Sequence, residues 1–347
     1  MTLSSKKFQW TLAILAVLIY ITFYFPVPYF IATPGQATEL DTIIEVEDGY
    51  KESGELMLTS VSIYKGSLFT IIYSKFNSFM ETIPKELILG EDEDQEDYTN
   101  RQIQVMEESQ GDALIAAFSY LGLPIDVLNN GVLVMGILPG VPSEDVLEIG
   151  DLIIAIDDKR VTKLDDMLNY FKSKYEDDVV KIDFIRDKKE YSAKIPLVSL
   201  YSDSEKDFAN GKVGLGIYPY ENRSINSLKA VEFKTEEIGG PSAGLMFALE
   251  IINQLVPEDL TKGYKIAGTG TISIDGNVGQ IGSPRLKVKA AIDEGAEIFF
   301  VPKDINDTDT NEKEALQSNE DLGKPIDIVP VSNVGEAIEY LRQLEVK

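Results

Sequence analysis

No charged residue occurs between Lys7 and Glu39, and the run "FQWTLAILAVLIYITFYF" from Phe8 to Phe25 is almost wholly apolar. A helix rises ~1.5 Å per residue, so such a run approaches the ~30 Å hydrocarbon core of a bilayer. It predicts a transmembrane helix within an anchor segment of residues 1–33, with Trp10 at one interface and Tyr24, Tyr29 and Phe30 at the other. Cleavable leaders have shorter apolar regions and a small-residue cleavage site, whereas Pro26, Pro28 and bulky aromatics occupy that zone here. Lys6 and Lys7 precede the run, while Glu39, Asp41, Glu45, Glu47 and Asp48 follow it. The positive-inside rule then predicts a single-pass cell-membrane protein with a cytoplasmic amino terminus and an extracellular body.

The rest of the composition narrows the chemistry. The chain has 58 acidic against 32 basic residues, no cysteine and no histidine. A net charge of -26 repels nucleic acid and anionic surfaces from the body of the protein. Without thiols or imidazoles there is no disulfide, no ordinary zinc site and no Ser-His-Asp triad, so no metal or cofactor is expected. No G-x-x-x-x-G-K-[ST] loop occurs, since "GTGTISIDG" lacks the lysine, and no ATP binding is expected.

Residues 41–48 and 55–64 alternate as strands do, and residues 67–82 carry a helical pattern with aromatics on one face. "GEDEDQED" at 90–97 reads as a solvated acidic loop, and a long helix is predicted over Tyr98–Leu121. The texture changes from Asn129 to strand, Pro-Gly turn, short helix, strand and amphipathic helix, and then to two alternating strands ending near residue 200. From Gly211 onward strand and helix patterns alternate, which predicts an α/β domain, with "DTDTNEKEALQSNED" as a surface loop.

"IGGPSAGLMFALEII" at 238–252 places Ser242 between a Gly-Gly-Pro turn and an apolar helix. A serine there is a helix cap or a nucleophile whose proton is taken by something other than histidine. "IGSPRLKVKAAIDEGAEIFFVP" supplies a second helix start, with Ser283 as cap, Pro284 at the first helical position and Gly295 as the stop. Lys287 falls in its first turn on the face of Ala290 and Ala291. There the helix end and desolvation both favour the neutral amine, which is the base a serine needs.

These residues carry two resemblances. The run "LPGVPSEDVLEIGDLIIAIDDKRV" and the helix Leu164–Tyr175 resemble a PDZ domain over residues 124–200. A module of that kind takes a peptide by strand addition, here expected at Asn130, Gly131, Val132, Leu133 and Val134. "IGGPSAGLMFALEI" with "IAGTGTISIDGNVGQIGSPRLKVKAAIDEGAEIFFVP" resembles the proteolytic domain of the Lon family over residues 201–347. That resemblance implies a Ser242–Lys287 dyad, Thr269 holding the lysine, and backbone N–H groups around Gly240, Pro241 and Ala243 as an oxyanion hole. "QVMEESQGDALIAAFSYLGL" is similar to the helix preceding the catalytic segment, so residues 34–123 are the first part of the protease region and the PDZ-like block is inserted in it. The fold class implied is α/β (α+β): a Lon-type domain with an inserted PDZ domain and an amino-terminal membrane helix. Together these features are similar to the membrane-bound, PDZ-containing Lon-like proteases of Gram-positive bacteria (YlbL type). They imply an ATP-independent serine endopeptidase acting on exported peptides or membrane-proximal proteins; the alternative is an inert peptide-binding scaffold.

Overall fold

In a computed structural model the described residues are 2–89, 95–200, 213–235, 238–323 and 326–347, the side chains of 2–7, 96 and 97 excepted. The helices are α1 (Thr2–Tyr24), α2 (Leu68–Ser74), α3 (Gln95–Tyr120), α4 (Leu164–Phe171), α5 (Gly244–Leu255), α6 (Pro284–Asp293), α7 (Asn311–Asp321) and α8 (Val334–Gln343). The chain divides into one compact unit of residues 1–124 with 228–347, and a second of residues 125–227.

The first unit is built on a six-stranded sheet in the order Asp327–Val331, Ile298–Pro302, Lys265–Gly268, Glu55–Ser67, Pro26–Glu39, Glu81–Pro84. The first three pairings are parallel and the last two antiparallel. Three carboxy-terminal strands and three amino-terminal strands therefore share one sheet, the two groups meeting where Lys265–Gly268 pairs with Glu55–Ser67. Parallel strands are covered on both faces and read as continuous apolar runs, as "IFFVP" does with all five residues buried. Phe299 packs with Met57 and Ala267 against Val288 and Ala291 of α6 and Ala315 of α7. Phe300 instead meets the Tyr340 ring of α8 edge-on. The polar stretch expected as a surface loop at 307–321 is largely α7, because Ala315 and Ser318 give it a buried stripe and Ser318 Oγ donates to the Arg285 carbonyl. The helix expected over 67–82 stops at Ser74, and after a turn held by Asn77 Oδ1 the chain becomes the edge strand Glu81–Pro84. Residues 90–94 of the expected acidic loop lie outside the described residues.

The transmembrane expectation finds no direct counterpart: among the described residues, no helix is long and apolar enough to cross a membrane. The described side chains of α1 begin at Phe8, and large apolar residues from Phe8 to Phe25 are exposed along it.

The second unit is an antiparallel sheet ordered Ile217–Ser227, Ile125–Ile137, Leu152–Ile156, Val179–Arg186, Lys189–Pro196. Its core joins Val132, Val134, Ile153, Ile182 and Phe184 to Met167 and Phe171 of α4. Arg186 ties the turn before the central strand by donating to both carboxylate oxygens of Asp151, at 2.7 and 2.6 Å. The unit continues to Ser227, past the expected boundary at 200, because Ile217–Ser227 pairs with Ile125–Ile137 along its whole length. Residue 125 is the partner of residue 227 in that register, so the unit leaves its host through two adjacent strand ends.

One buried polar feature lies at the carboxy-terminal half of α5. Glu250 is fully buried and its Oε2 has no hydrogen-bond partner, while Oε1 accepts from Gln254 Nε2 at 2.6 Å. Asn253 Nδ2 donates to Glu52 close by. Burial foremost, and then the charges of Glu250 and Asp41, raises the Glu52 carboxyl, while burial and the Asp41 charge raise Glu250. A carboxyl raised in the folded state holds its proton where the unfolded chain has lost it. Its contribution to stability is therefore complete at acidic pH and is lost as pH rises through the folded value. Glu250→Gln is expected to leave stability nearly unchanged at acidic pH and to raise it by about 1–3 kcal/mol at alkaline pH. Denaturant titrations of both proteins across pH check this, and an equal effect at all pH values contradicts it.

Candidate active site

Ser242 lies in the 3-10 turn Pro241–Ala243 that leads into α5. Gly240 before it sits at φ +93°, a conformation L side chains rarely adopt. Two residues of α3 hold this turn. The Gln102 carbonyl accepts from Gly240 N–H at 2.9 Å, and Ser109 Oγ donates to the Pro241 carbonyl at 3.0 Å. Neither the 3-10 turn nor α5 uses a side-chain cap, so the Ser242 hydroxyl is not consumed by the helix start.

Lys287 enters from the first turn of α6, whose preceding residue Ser283 is left-handed and donates its hydroxyl to Glu81. Ser283 therefore makes no side-chain cap, unlike the expectation, and its side chain ties α6 to the edge strand. Ser242 Oγ and Lys287 Nζ are 2.5 Å apart, and Lys287 Nζ lies 3.0 Å from Thr269 Oγ1. Thr269 Oγ1 also donates to the Ser242 carbonyl at 3.0 Å, and Gly270 N–H donates to the same oxygen at 2.8 Å. The threonine thus faces both members of the pair. Lys287 is only 3% exposed, and burial pushes its amine down to about 7. A neutral amine at that distance accepts the serine proton, which makes the pair competent for nucleophilic attack at neutral pH. Lys289, two residues on, is instead half-buried and pairs with Asp293.

The structure brings Ser242, Lys287, Thr269, Gly240, Pro241 and Ala243 together, with one change to the expected donor set. Gly240 has its N–H engaged by Gln102, and proline has none, which leaves the Ser242 amide at the unpaired start of the helix. Sequence reading missed Gln102 and Ser109. They are more than a hundred residues from the turn they hold, and only the likeness of their helix to a protease segment pointed toward them.

The peptide site expected at Asn130–Val134 is not an open edge. Strand Ile125–Ile137 is hydrogen-bonded on one side to Ile217–Ser227 and on the other to Leu152–Ile156. Val132 and Val134 are fully buried, Leu133 pairs on both sides, and Asn130 Nδ2 donates to Asn222 Oδ1 and Ser224 Oγ. A Cβ on Gly131 would lie 2.4 Å from the Ile153 carbonyl oxygen. Within this unit the sheet edge next to that strand belongs to Ile217–Ser227, where Glu221 Oε1 accepts from Leu164 N–H at the start of α4. Its signal was the run "GLGIYPYENRSINS", which sequence reading assigned to the following domain. Among the described residues no group of three or more acidic side chains is arranged to hold a metal ion.

A helix-start serine beside a buried lysine is the arrangement a Ser-Lys dyad requires. Residues 236–343 match the family model of the Lon protease (S16) C-terminal proteolytic domain, and residues 119–197 match that of the PDZ domain. Residues 119–197 and 236–343 thus match a PDZ domain and a Lon-type proteolytic domain in turn. It is 32% identical over 157 residues to the Lon protease of Metamycoplasma arthritidis, and 30% identical over 128 residues to the archaeal Lon protease of Archaeoglobus fulgidus. These matches cover 45% and 36% of this chain but 17% and 19% of the relatives, so the chain spans less than a fifth of their length. The PDZ domain of an SdrC-like protein from Listeria monocytogenes aligns at 33% identity over 26% of this chain and 87% of that one, with a TM-score of 0.23.

The depressed lysine fixes a pH dependence of stability. Its folded value lies below the unfolded one, so between about 7 and 10.5 the unfolded chain binds more protons and stability rises with pH. Below that window the folded state carries a buried ammonium at a cost of about 5 kcal/mol. Lys287→Met is expected to be more stable than wild type at neutral pH, with the gain shrinking as pH rises toward 10.5. Thermal melts across that range check the sign, and a variant destabilised at every pH contradicts it.

Proposed function

We propose that the chain is an ATP-independent serine endopeptidase with Ser242 as nucleophile and Lys287 as general base. The observation that carries this reading is the 2.5 Å approach of Ser242 Oγ to a buried lysine amine. The amine takes the hydroxyl proton as Oγ attacks the scissile carbonyl. The Ser242 amide faces the developing oxyanion, a class of donor worth about 3–4 kcal/mol. Lys287 then gives its proton to the departing amine, leaving an ester on Ser242. Water loses a proton to Lys287, attacks the ester and releases the carboxylic product with regeneration of the serine. Thr269 is a positioning residue that fixes the amine against the turn. ATP independence is supported by the lack of a phosphate-binding loop in the sequence.

The second unit selects peptide or protein substrates by strand addition at Ile217–Ser227, the edge that its sheet leaves open beside α4. Anchoring of α1 in a bilayer, with the amino terminus cytoplasmic and the body extracellular, is supported by the exposed apolar side chains from Phe8 to Phe25 and by Lys6 and Lys7 preceding them. Substrates are then exported peptides or membrane-proximal proteins, as for membrane-bound Lon-like proteases of the Gram-positive (YlbL) type.

Ser242→Ala and Lys287→Arg are each expected to abolish cleavage and labelling by a fluorophosphonate, because a guanidinium stays charged and accepts no proton. Lys289→Ala keeps activity. The wild-type kcat/KM rises with pH through about 7 as Lys287 becomes neutral. A rate that falls over that range, or a labelled Ser242→Ala protein, rejects the dyad, whereas a wild-type protein that neither cleaves nor is labelled favours an inert scaffold. Replacing residues 125–227 with a short Gly-Ser linker is expected to preserve cleavage of a small unstructured peptide and to lower kcat/KM for a protein substrate. Equal loss for both substrates rejects the separation of roles.

A further inference from the structure

We propose that α2 and the turn after it form a second contact with the lipid bilayer, inserting aromatic and aliphatic side chains at the level of the headgroups beside α1. This rests on the bilayer anchoring of α1 proposed above. The strand register pairs Pro26, two residues past α1, with Ser67, the residue before α2. The two helices are thus held at the same end of one hairpin. Phe23 of α1 stacks on Phe69 of α2 with ring centroids 4.7 Å apart, and Phe69 stacks on Tyr73. The apolar surface of α1 therefore continues without a break onto α2.

Among the described residues nothing covers that continuation. No residue of α2 is buried, and Leu68, Phe69, Ile72 and Tyr73 are exposed, with Phe76 just beyond it at 85%. Contiguous apolar surface of this kind marks an interaction site. Its charge pattern selects the partner. In a chain of net charge -26, residues 66–80 contain no carboxylate and a single charge, Lys75. Aromatic rings with one flanking lysine suit the bilayer interface, where ring faces enter the acyl boundary and the ammonium reaches the headgroups. The helix is preformed by the reciprocal Ser67–Thr70 capping box, so no ordering is needed on contact. Downstream, Phe79 lies under the Lys289 ammonium and Glu81 accepts from Ser283 at the start of α6. The lipid contact is thereby tied to the helix that carries Lys287.

The chain has no cysteine, so single-cysteine variants report positions directly. Leu15→Cys, Phe76→Cys and Asp307→Cys, each in the full chain and labelled with an NBD fluorophore, are reconstituted in phosphatidylethanolamine–phosphatidylglycerol vesicles with or without brominated acyl chains. Retained far-UV circular dichroism checks each fold. The expected result is a blue-shifted Phe76→Cys signal quenched severalfold more than Asp307→Cys, and an equally quenched Leu15→Cys. Quenching at Leu15→Cys but not at Phe76→Cys overturns the α2 contact and leaves the anchor standing. Quenching at Phe76→Cys alone keeps the contact and removes the anchor, and quenching at neither overturns both. Disulfide cross-linking of unlabelled Phe76→Cys between copies, without quenching of the labelled variant, assigns the patch to a second copy of this chain and overturns the lipid contact.

Discussion

The architecture of the first unit answers to one demand, an uncharged lysine amine held against a serine hydroxyl. An ammonium on Lys287 would be unfavourable by several kcal/mol in that position, and the neutral form is kept by burial under two helix starts and a sheet edge. Each wall comes from a different part of the sequence. α3 fixes the turn through Gln102 and Ser109, Thr269 and Gly270 fix the carbonyl of Ser242, and Glu81 fixes the residue that opens α6. Loosening any wall admits water, and water restores the ordinary lysine. The chemistry of the pair is therefore a property of the packing around it.

Much of this was legible in the sequence because it is local. The Gly-Gly-Pro turn, the proline at the first position of α6 and the Gly295 stop follow from backbone rules that act over a few residues. Helical spacing placed Lys287 inward, and the structure distinguishes it from Lys289 by burial and by its partner. What was not legible depends on partners distant in the chain. Strand Ile125–Ile137 has the alternation expected of an edge or a centre, and only its pairing with Ile217–Ser227 decides which it is. α7 looked like a loop because its one buried stripe, Asn311, Ala315 and Ser318, is mostly polar in type. The helix pattern over 67–82 was cut short by an Asn-Ser turn whose side-chain hydrogen bond outcompetes the helix.

The same α5 that follows Ser242 carries Glu250 two turns later, fully buried and with one oxygen unpaired. Gln254 links this carboxyl to the short strand Ile44–Val46 through the Ile44 carbonyl and the Val46 amide. That strand pairs with Val231–Phe233, the segment leading toward the Gly-Gly-Pro turn. Ionisable groups whose neutral forms burial favours thus flank the helix, Lys287 of α6 beside its start and Glu250 with Glu52 toward its other end. Their stability slopes with pH have opposite signs: the acids' contribution is lost as pH rises through their folded values, whereas the lysine's cost is relieved only between about 7 and 10.5, so the interior carries its largest combined penalty between the two.

The paired ends of the second unit bear on the order in which the chain folds. The host sheet joins Glu55–Ser67 directly to Lys265–Gly268, a parallel contact across about two hundred residues. Closing a loop of that length carries an entropic cost that grows with its logarithm. Residues 125 and 227 are cross-strand partners, so once the second unit has folded that stretch spans only the distance between two neighbouring strands. The effective loop contracts to the segments outside it, chiefly α3 and the approach to Ser242. During synthesis this unit is complete before the Lys265 strand has been made. The inserted module thus acts as a splint, returning the carboxy-terminal half to the amino-terminal strands before its own first strand in that sheet, Lys265–Gly268, has been made.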